Sequence, residues 1–399
     1  MKILWVKTDF LHPTTRGGQI RTLEMLKALH RRHEIHYVAF DDGANTEGPE
    51  RSGEYSSCAY RVPHSVPPRR SPRFAGQLLQ GLISPLPVSV ARYVSSGMKR
   101  QIEKLLAQEK FDSLVCDFLF PSPNIPDIRR AVLFQHNVES MIWKRHVEEA
   151  RNAAKKAYFR LQARRMEDFE RTICRRAGHI VAVSEVDRAA MQNLFGAERI
   201  SSVSTGVDIE YFAPPDRPEH KADLIFVGSM DWLPNIDAIQ YFAAEILPLI
   251  QKQRPDCRVI VAGRRPTPAL QELARRLPGI VLTGTVPDVR PYLWGSTVSI
   301  VPLRIGGGTR LKIFEAVAAR LPVVSTTIGA EGLPLANGRQ IAIADTPSDF
   351  AENCLKLLSD VALRDRIIEE AWQFVAGQFS WDAVTRDFEA ALAAGPRPN

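Results

Sequence analysis

Nowhere in the chain do apolar residues run on for the roughly 20 positions that a membrane-crossing helix needs. The opening Met1-Lys2 leads into Ile3-Leu4-Trp5-Val6, a strand-length run far shorter than the apolar core of a secretory leader. Cysteine is sparse and scattered: Cys58, Cys116, Cys174, Cys257 and Cys354 form no Cys-x-x-Cys pair, which argues against a zinc site and a disulfide framework and for a reducing compartment. No Asp-x-Asp pair stands at a strand end, no P-loop spacing occurs, and neither paired carboxylates nor a nucleophile–base pair has compelling spacing. The expectation is a cytoplasmic protein whose chemistry works by positioning and charge stabilisation, without a metal or other cofactor.

What is present is the composition of a globular protein, 45% apolar and 24% charged, in a length of 399 residues that one ordinary α/β core does not absorb. Short apolar runs alternate with helical stretches, the signature of parallel α/β folds. Strands are expected at Ile3–Val6, Ile35–Phe40, Ser113–Cys116, Ala131–Phe134 and His179–Val183, and again at Asp223–Gly228, Arg258–Ala262, Ile280–Leu282, Thr297–Val301 and Val323–Thr326. Ile20, Leu23, Leu26 and Leu29 recur near the helical period between the first two. The stretch from Gly43 to Pro87 is rich in Pro, Ser and Arg and reads as an insertion or loop. A Pro-rich join, Gly206-Val207-Asp208 to Phe212-Ala213-Pro214-Pro215, separates two similar halves, and everything beyond Ser348 reads as helix. The net charge of +7 is local: from Lys144 to Arg176 eleven basic residues face five acids, a patch suited to nucleic acid, anionic lipid or a phosphorylated acceptor, or simply to solvent.

The segment Val301-Pro302-Leu303-Arg304-Ile305-Gly306-Gly307-Gly308-Thr309-Arg310-Leu311-Lys312-Ile313-Phe314-Glu315 carries the most chemistry: a strand, three glycines and a helix start. Glycines admit a ligand to the backbone, and free N–H groups at a helix start favour anions. Thr309 is a plausible N-cap. Arg310 and Lys312 place two cations at the positive end of the helix dipole, which is unfavourable unless an anion binds there; a diphosphate fits. Helical spacing puts Leu311, Phe314 and Ala318 toward a core, and Gly308, Lys312, Glu315 and Ala319 on another face, where Glu315 can accept from ribose hydroxyls. An ion pair between Lys312 and Glu315 on the surface is the plainer alternative.

Carried on through Arg320-Leu321-Pro322-Val323, this segment resembles the donor-binding signature of family 4 GT-B glycosyltransferases, in particular bacterial enzymes of exopolysaccharide biosynthesis. Phe226-Val227-Gly228-Ser229-Met230, Val261-Ala262-Gly263, Gly284-Thr285-Val286-Pro287-Asp288 and the Gly206 linker agree with it. The resemblance implies two Rossmann-like parallel α/β domains facing across a cleft: 1–204 for the acceptor, 205–378 for a nucleotide sugar, and a C-terminal helix, 379–399, returning to the first. It implies a retaining, metal-independent hexosyltransferase; a UDP- or GDP-hexose is the expected donor and a glycan or lipid-linked molecule the expected acceptor, and the basic Lys144–Arg176 face leads us to expect peripheral contact with the inner face of an anionic membrane. Carried over residue by residue, Arg310 and Lys312 neutralise the leaving diphosphate, Glu315 holds the ribose, Gly284–Val286 meets the base, and Gly228 lies near the phosphates, as do the backbone amides of Gly307, Gly308 and Thr309. Gly17 and Gly18 match the glycine pair approaching donor and acceptor. His136, in Gln135-His136-Asn137-Val138-Glu139 after an apolar strand, matches the histidine beside the sugar.

Two positions depart from the pattern. Gly307 stands where the family commonly has the first of two glutamates, and Arg320 where it commonly has a helix-ending glycine. The first departure keeps open a non-catalytic nucleotide-sugar-binding protein, and a nucleotide-sugar epimerase on the same fold is a second alternative. No recognised nucleic-acid module accompanies the basic segment, so no nucleic-acid partner is expected.

Overall fold

The computed structural model describes residues 1–14, 17–67, 71–150, 152–305 and 311–398. The chain divides into two compact units, Met1–Thr205 with Val384–Asn399, and Gly206–Ala383.

The first unit is built on a seven-stranded parallel sheet: β1 (Lys2–Val6), β2 (Glu34–Asp41), β3 (Cys58–Pro63), β4 (Ser113–Asp117), β5 (Val132–Gln135), β6 (His179–Ala182) and β7 (Ile200–Ser202). Its strand order is β3-β2-β1-β4-β5-β6-β7. β1 is the pivot: Ile3 pairs with Ile35 of β2 on one side and Ser113 of β4 on the other. Ile3, Leu4, Trp5 and Val6 are all inaccessible to water, as a central strand covered on both faces requires. The order reverses direction between β1 and β4, and in open parallel sheets ligands bind at the carboxyl ends of the strands at such a switch point.

The stretch from Gly43 to Pro87 is not a loop. It contains β3, paired in parallel to β2 from His36–Cys58 to Asp41–Pro63, and a helix, Pro72–Ile83. β3 is an edge strand whose only buried residue is Val62, so it carries no apolar alternation for a sequence reading to detect, and Pro63 is tolerated at its end. The basic stretch is likewise not one solvated helix. It forms Glu139–Glu149 and Ala153–Arg176, packed on each other, and several cations are committed within the unit. Lys144 and Arg171 both pair with Glu167 at 2.8 Å, and Arg175 donates to the Phe195 carbonyl.

The second unit has a six-stranded parallel sheet: β8 (Ala222–Val227), β9 (Val259–Ala262), β10 (Ile280–Gly284), β11 (Ser296–Val301), β12 (Val323–Ser325) and β13 (Ala342–Ile343). The order is β10-β9-β8-β11-β12-β13, again with a switch point, between β8 and β11. Here Gly263 lets two strand ends meet: a Cβ on it would stand 1.7 Å from the Gly228 carbonyl oxygen. The helix after β11, Leu311–Ala318, is buried around most of its circumference. Ile313, Phe314, Ala316, Val317 and Ala318 are buried, and Leu311, Lys312 and Glu315 are half-buried. Ala319, expected on the ligand side, is buried as well.

Arg320 ends that helix in the left-handed conformation, φ 59°. Its guanidinium lies 3.9 Å over the Trp372 ring and donates to Glu369 at 2.6 Å, contacts that offset the backbone strain. The last helix, Trp381–Ala394, begins in the second unit, where Trp381 covers Gly206, and ends in the first, where Phe388 packs on Trp5 and Phe134.

Candidate functional sites at the two switch points

At the switch point of the first sheet, four elements converge on Asp117, the last residue of β4. Its carboxylate is fully buried and accepts four hydrogen bonds: from Trp5 Nε1 (3.0 Å), Lys7 Nζ (2.9 Å) and Thr22 Oγ1 (2.8 Å) on one oxygen, and from His136 Nε2 (2.7 Å) on the other. Burial opposes ionisation, but Lys7 and His136 hold the Asp117 carboxyl well below the usual carboxylate range. Burial pushes His136 down to about 4, with Asp117 opposing. At neutral pH the imidazole is therefore uncharged, and because an ionised Asp117 only accepts, the proton sits on Nε2. That leaves Nδ1 as an acceptor, on the side where a Cβ on Gly18 would come within 3.8 Å.

The ring of Phe118 fixes the imidazole plane, stacking on it at 3.9 Å and 5°. Phe118 reaches this place with φ 72°, and Lys7 Nζ lies 4.4 Å from its ring centroid. Gly18 is a glycine for a steric reason: a Cβ would lie 2.7 Å from Phe118 Cζ. Behind His136, the buried Glu170 accepts from Gln135 Nε2 (2.9 Å) and from the backbone N–H groups of Glu139 (2.8 Å) and Ser140 (2.9 Å). It thus ties down both flanks of the His136 loop and caps the helix that follows.

At the switch point of the second sheet, Gly228 follows β8 and Lys312 projects from the helix after β11. A Cβ on Gly228 would lie 3.0 Å from Lys312 Nζ and 2.7 Å from Asn235 Nδ2. Lys312 Nζ donates to Asn235 Oδ1 at 2.9 Å and lies 4.2 Å over the Phe226 ring. Asn235 is oriented in turn by donating to the Ser229 carbonyl at 2.9 Å, so the amide presents its oxygen to the lysine. Glu315 is half-buried; burial raises its carboxyl above the ordinary range and Lys312 opposes the rise. Gly284, at φ 68°, turns the chain out of edge strand β10 toward the half-buried Val286. Gly307, Gly308, Thr309 and Arg310 lie outside the described residues. Gly17 is the first residue of the helix after β1.

Comparison with known proteins assigns the two halves together. Residues 15–211 match the model described as Glycosyltransferase Family 4, and residues 221–360 match Glycosyl transferases group 1. The chain is a family 4 glycosyltransferase of the GT-B type. Among this transferase's relatives is an uncharacterized 44.6 kDa protein in the cps region of Klebsiella pneumoniae, 20% identical over 94% of this chain and 95% of that one. A D-inositol 3-phosphate glycosyltransferase of Nocardioides is 27% identical over 54% of each chain. Anabaena HepE, solved in complex with UDP and glucose, superposes with a TM-score of 0.63 at 13% identity, over 99% of this chain and 100% of that one.

Within this glycosyltransferase the structure brings Gly18 to His136 in the first unit and Gly228 to Lys312 in the second. Sequence reasoning missed Lys7, Asp117, Thr22 and Phe118 in the first cluster and Asn235 in the second. Lys7 and Asp117 carried the same signal as His136, a polar residue at the carboxyl end of an apolar strand. Arg21, buried with Nη2 unpartnered among the described residues, had no such signal because it lies within a helix. A further group, Glu34, His36 and Glu109, has metal-ligand spacing, but the Lys2 ammonium pairs with both of its carboxylates.

Proposed function

We propose that the enzyme transfers a hexose from a UDP- or GDP-hexose to a glycan or lipid-linked acceptor, with retention and without a metal, in exopolysaccharide or cell-surface glycan biosynthesis. The observation that carries this reading is the clamp on Lys312. A cation held at the switch point by a neutral amide, beside a glycine whose missing side chain lets the ammonium come close to the backbone, suits a diphosphate. HepE, which binds UDP and glucose, and the Klebsiella protein, from a cps region, support the donor and the pathway class.

In this mechanism Lys312 and Arg310 balance the negative charge that grows on the diphosphate as the glycosidic bond breaks, in the role a divalent ion plays elsewhere. Glu315 accepts from the ribose hydroxyls, and the backbone of Gly284–Val286 meets the base. Neutral His136, held by Asp117 and Phe118, offers Nδ1 to a sugar hydroxyl. At the cell, the protein sits peripherally on the inner face of an anionic membrane. The exposed Leu79, Leu82 and Ile83 and the basic residues Lys155, Arg160 and Arg164 are suited to that surface.

The test is kcat/KM for Arg310→Ala and Lys312→Ala on the best donor of a UDP-, GDP-, ADP- and dTDP-sugar panel, in EDTA throughout. Each variant is expected to lose about 10²–10³ in rate, or roughly 2.7–4 kcal/mol, with melting temperatures near wild type. Near-wild-type rates in both folded variants, or activity that returns only on adding manganese or magnesium, would remove the metal-free phosphate clamp.

A further inference from the structure

The first unit holds a cavity of about 590 Å³, within the range of small-molecule sites. Its walls come from the helices Pro72–Ile83, Val88–Ala91, Glu139–Glu149 and Ala153–Arg176. Much of the lining is apolar or aromatic: Phe74 and Leu78 from the first helix, Ile142 and Trp143 from the third, Phe159 from the last.

Part of the polar wall lacks partners among the described residues. Of the nine buried side-chain N and O atoms without a hydrogen-bond partner among the described residues, three belong to residues lining this cavity: Ser89 Oγ, Arg92 Nε and Tyr158 Oη. Ser89, Arg92 and Tyr158 bring a hydroxyl, a guanidinium and a phenol to the wall, donor groups suited to a ligand with acceptor oxygens. The walls are braced independently of any ligand. Gln162 accepts from Val88 N (2.8 Å) and donates to the Gly81 carbonyl (2.9 Å), and Arg165 donates to the carbonyls of Gly81 and Leu82. Gly81 leaves room for the Tyr158 hydroxyl, which would stand 2.9 Å from a Cβ there.

We propose that this cavity binds one amphiphile, a phosphate head on a hydrocarbon chain, with the head meeting Arg92, Ser89 and Tyr158 and the chain packing on Phe74, Leu78, Ile142 and Trp143. The outer face of the Pro72–Ile83 helix exposes Leu79 (67%) and Ile83 (85%), so the same helix that walls the cavity offers apolar surface to the phase that supplies such a molecule. Glu139, also in the wall, lies three residues beyond His136. Burial beside Glu170 pushes its carboxyl up to about 7, so near neutrality a proton on it limits repulsion of an anionic head. The inference rests on the transfer reading only in calling this amphiphile the acceptor; binding is separable from turnover.

Calorimetric titration of the full chain with decyl phosphate below its micelle concentration tests it, with decanol and inorganic phosphate alongside. Decyl phosphate is expected to saturate one site, decanol to bind more weakly by about tenfold, and inorganic phosphate to give no measurable heat. Arg92→Gln should weaken decyl phosphate about tenfold and leave decanol unchanged, since it removes only a charged donor. Trp143→Ala should weaken both, and Phe74→Ser replaces it if that variant melts early. Absence of saturation, unchanged binding in the variants, or a soluble disaccharide binding there in place of decyl phosphate would overturn the proposal. A chain that binds decyl phosphate yet turns over no nucleotide sugar keeps the cavity and loses the transfer reading; one that transfers sugar but binds no decyl phosphate does the reverse.

Discussion

Asn235 holds Lys312 through an amide oxygen, and the choice of amide over carboxylate has a consequence for binding. An amide fixes the ammonium without adding a negative charge beside it; a carboxylate in the same place would fix it equally well and add one. Asn235→Asp is therefore expected to keep or raise the melting temperature while weakening UDP or UDP-sugar binding by about tenfold or more, measured by calorimetry. Unchanged affinity in a folded Asn235→Asp protein would mean that Lys312 does not meet the phosphates. Glu139 gives a second prediction at this scale. Its folded pKa is about 7 against an ordinary 4.5, so between those values the folded state binds more protons than the unfolded one and Glu139 erodes stability as pH rises. His136, held near 4, acts oppositely, eroding stability as pH falls from about 6.5. Glu139→Gln removes only the first effect. Its stability relative to wild type should climb from pH 4.5 to 7, by at most about 1.4 kcal/mol per pH unit, in melting temperatures taken across that window. A pH-independent gap would show that Glu139 is not buried in its charged form. His136 was legible in the sequence because it follows an apolar strand. Its dependence on Asp117 and Lys7 was not, because strands distant in sequence become neighbours only when the sheet forms.

The helix Leu311–Ala318 shows how an element can be read correctly in outline and incompletely in detail. Strand, glycines and helix start were visible from residue types alone. That the helix would be buried on most sides depends on what packs around it, here the helix Val361–Phe379 among others. Arg320 is the clearest case: the sequence showed a non-glycine at a helix end, and the structure shows both the left-handed backbone and the Trp372 and Glu369 contacts that support it. Two substitutions separate strain from contact. Arg320→Ala keeps the strained φ and loses the contacts; Arg320→Gly loses the contacts and the strain together. The glycine variant should exceed the alanine variant in stability by about 1 kcal/mol in denaturant unfolding, and equal stabilities would show that the backbone there is unstrained. β3 is the opposite case, an element invisible to periodicity because an exposed edge strand needs no apolar face.

For the molecule as a whole, the +7 charge remains meaningful even after several of its cations prove to be committed to internal partners. Lys155, Arg160 and Arg164 stay exposed on the helix that braces Pro72–Ile83 with its exposed Leu79 and Ile83. Flotation with phosphatidylglycerol vesicles should recover the protein at low salt, with each basic residue near the surface worth about 1 kcal/mol, and recover less at high salt. Leu79→Glu with Ile83→Glu should abolish recovery while leaving the melting temperature unchanged, since both side chains face water. Equal recovery with neutral vesicles, or none with either, would refute the membrane assignment. By itself the sequence determined the class of fold, ten of the thirteen described strands, the break between its halves and the strand and helix on either side of the glycine-rich segment, because periodicity and turn chemistry are local properties. Only the tertiary structure decided that β1 lies between β2 and β4, that Asp117 collects four donors, and that Asn235 clamps Lys312. Those facts depend on which backbone edges hydrogen-bond to one another, and neighbours in a parallel sheet are separated in the chain by whole crossover connections.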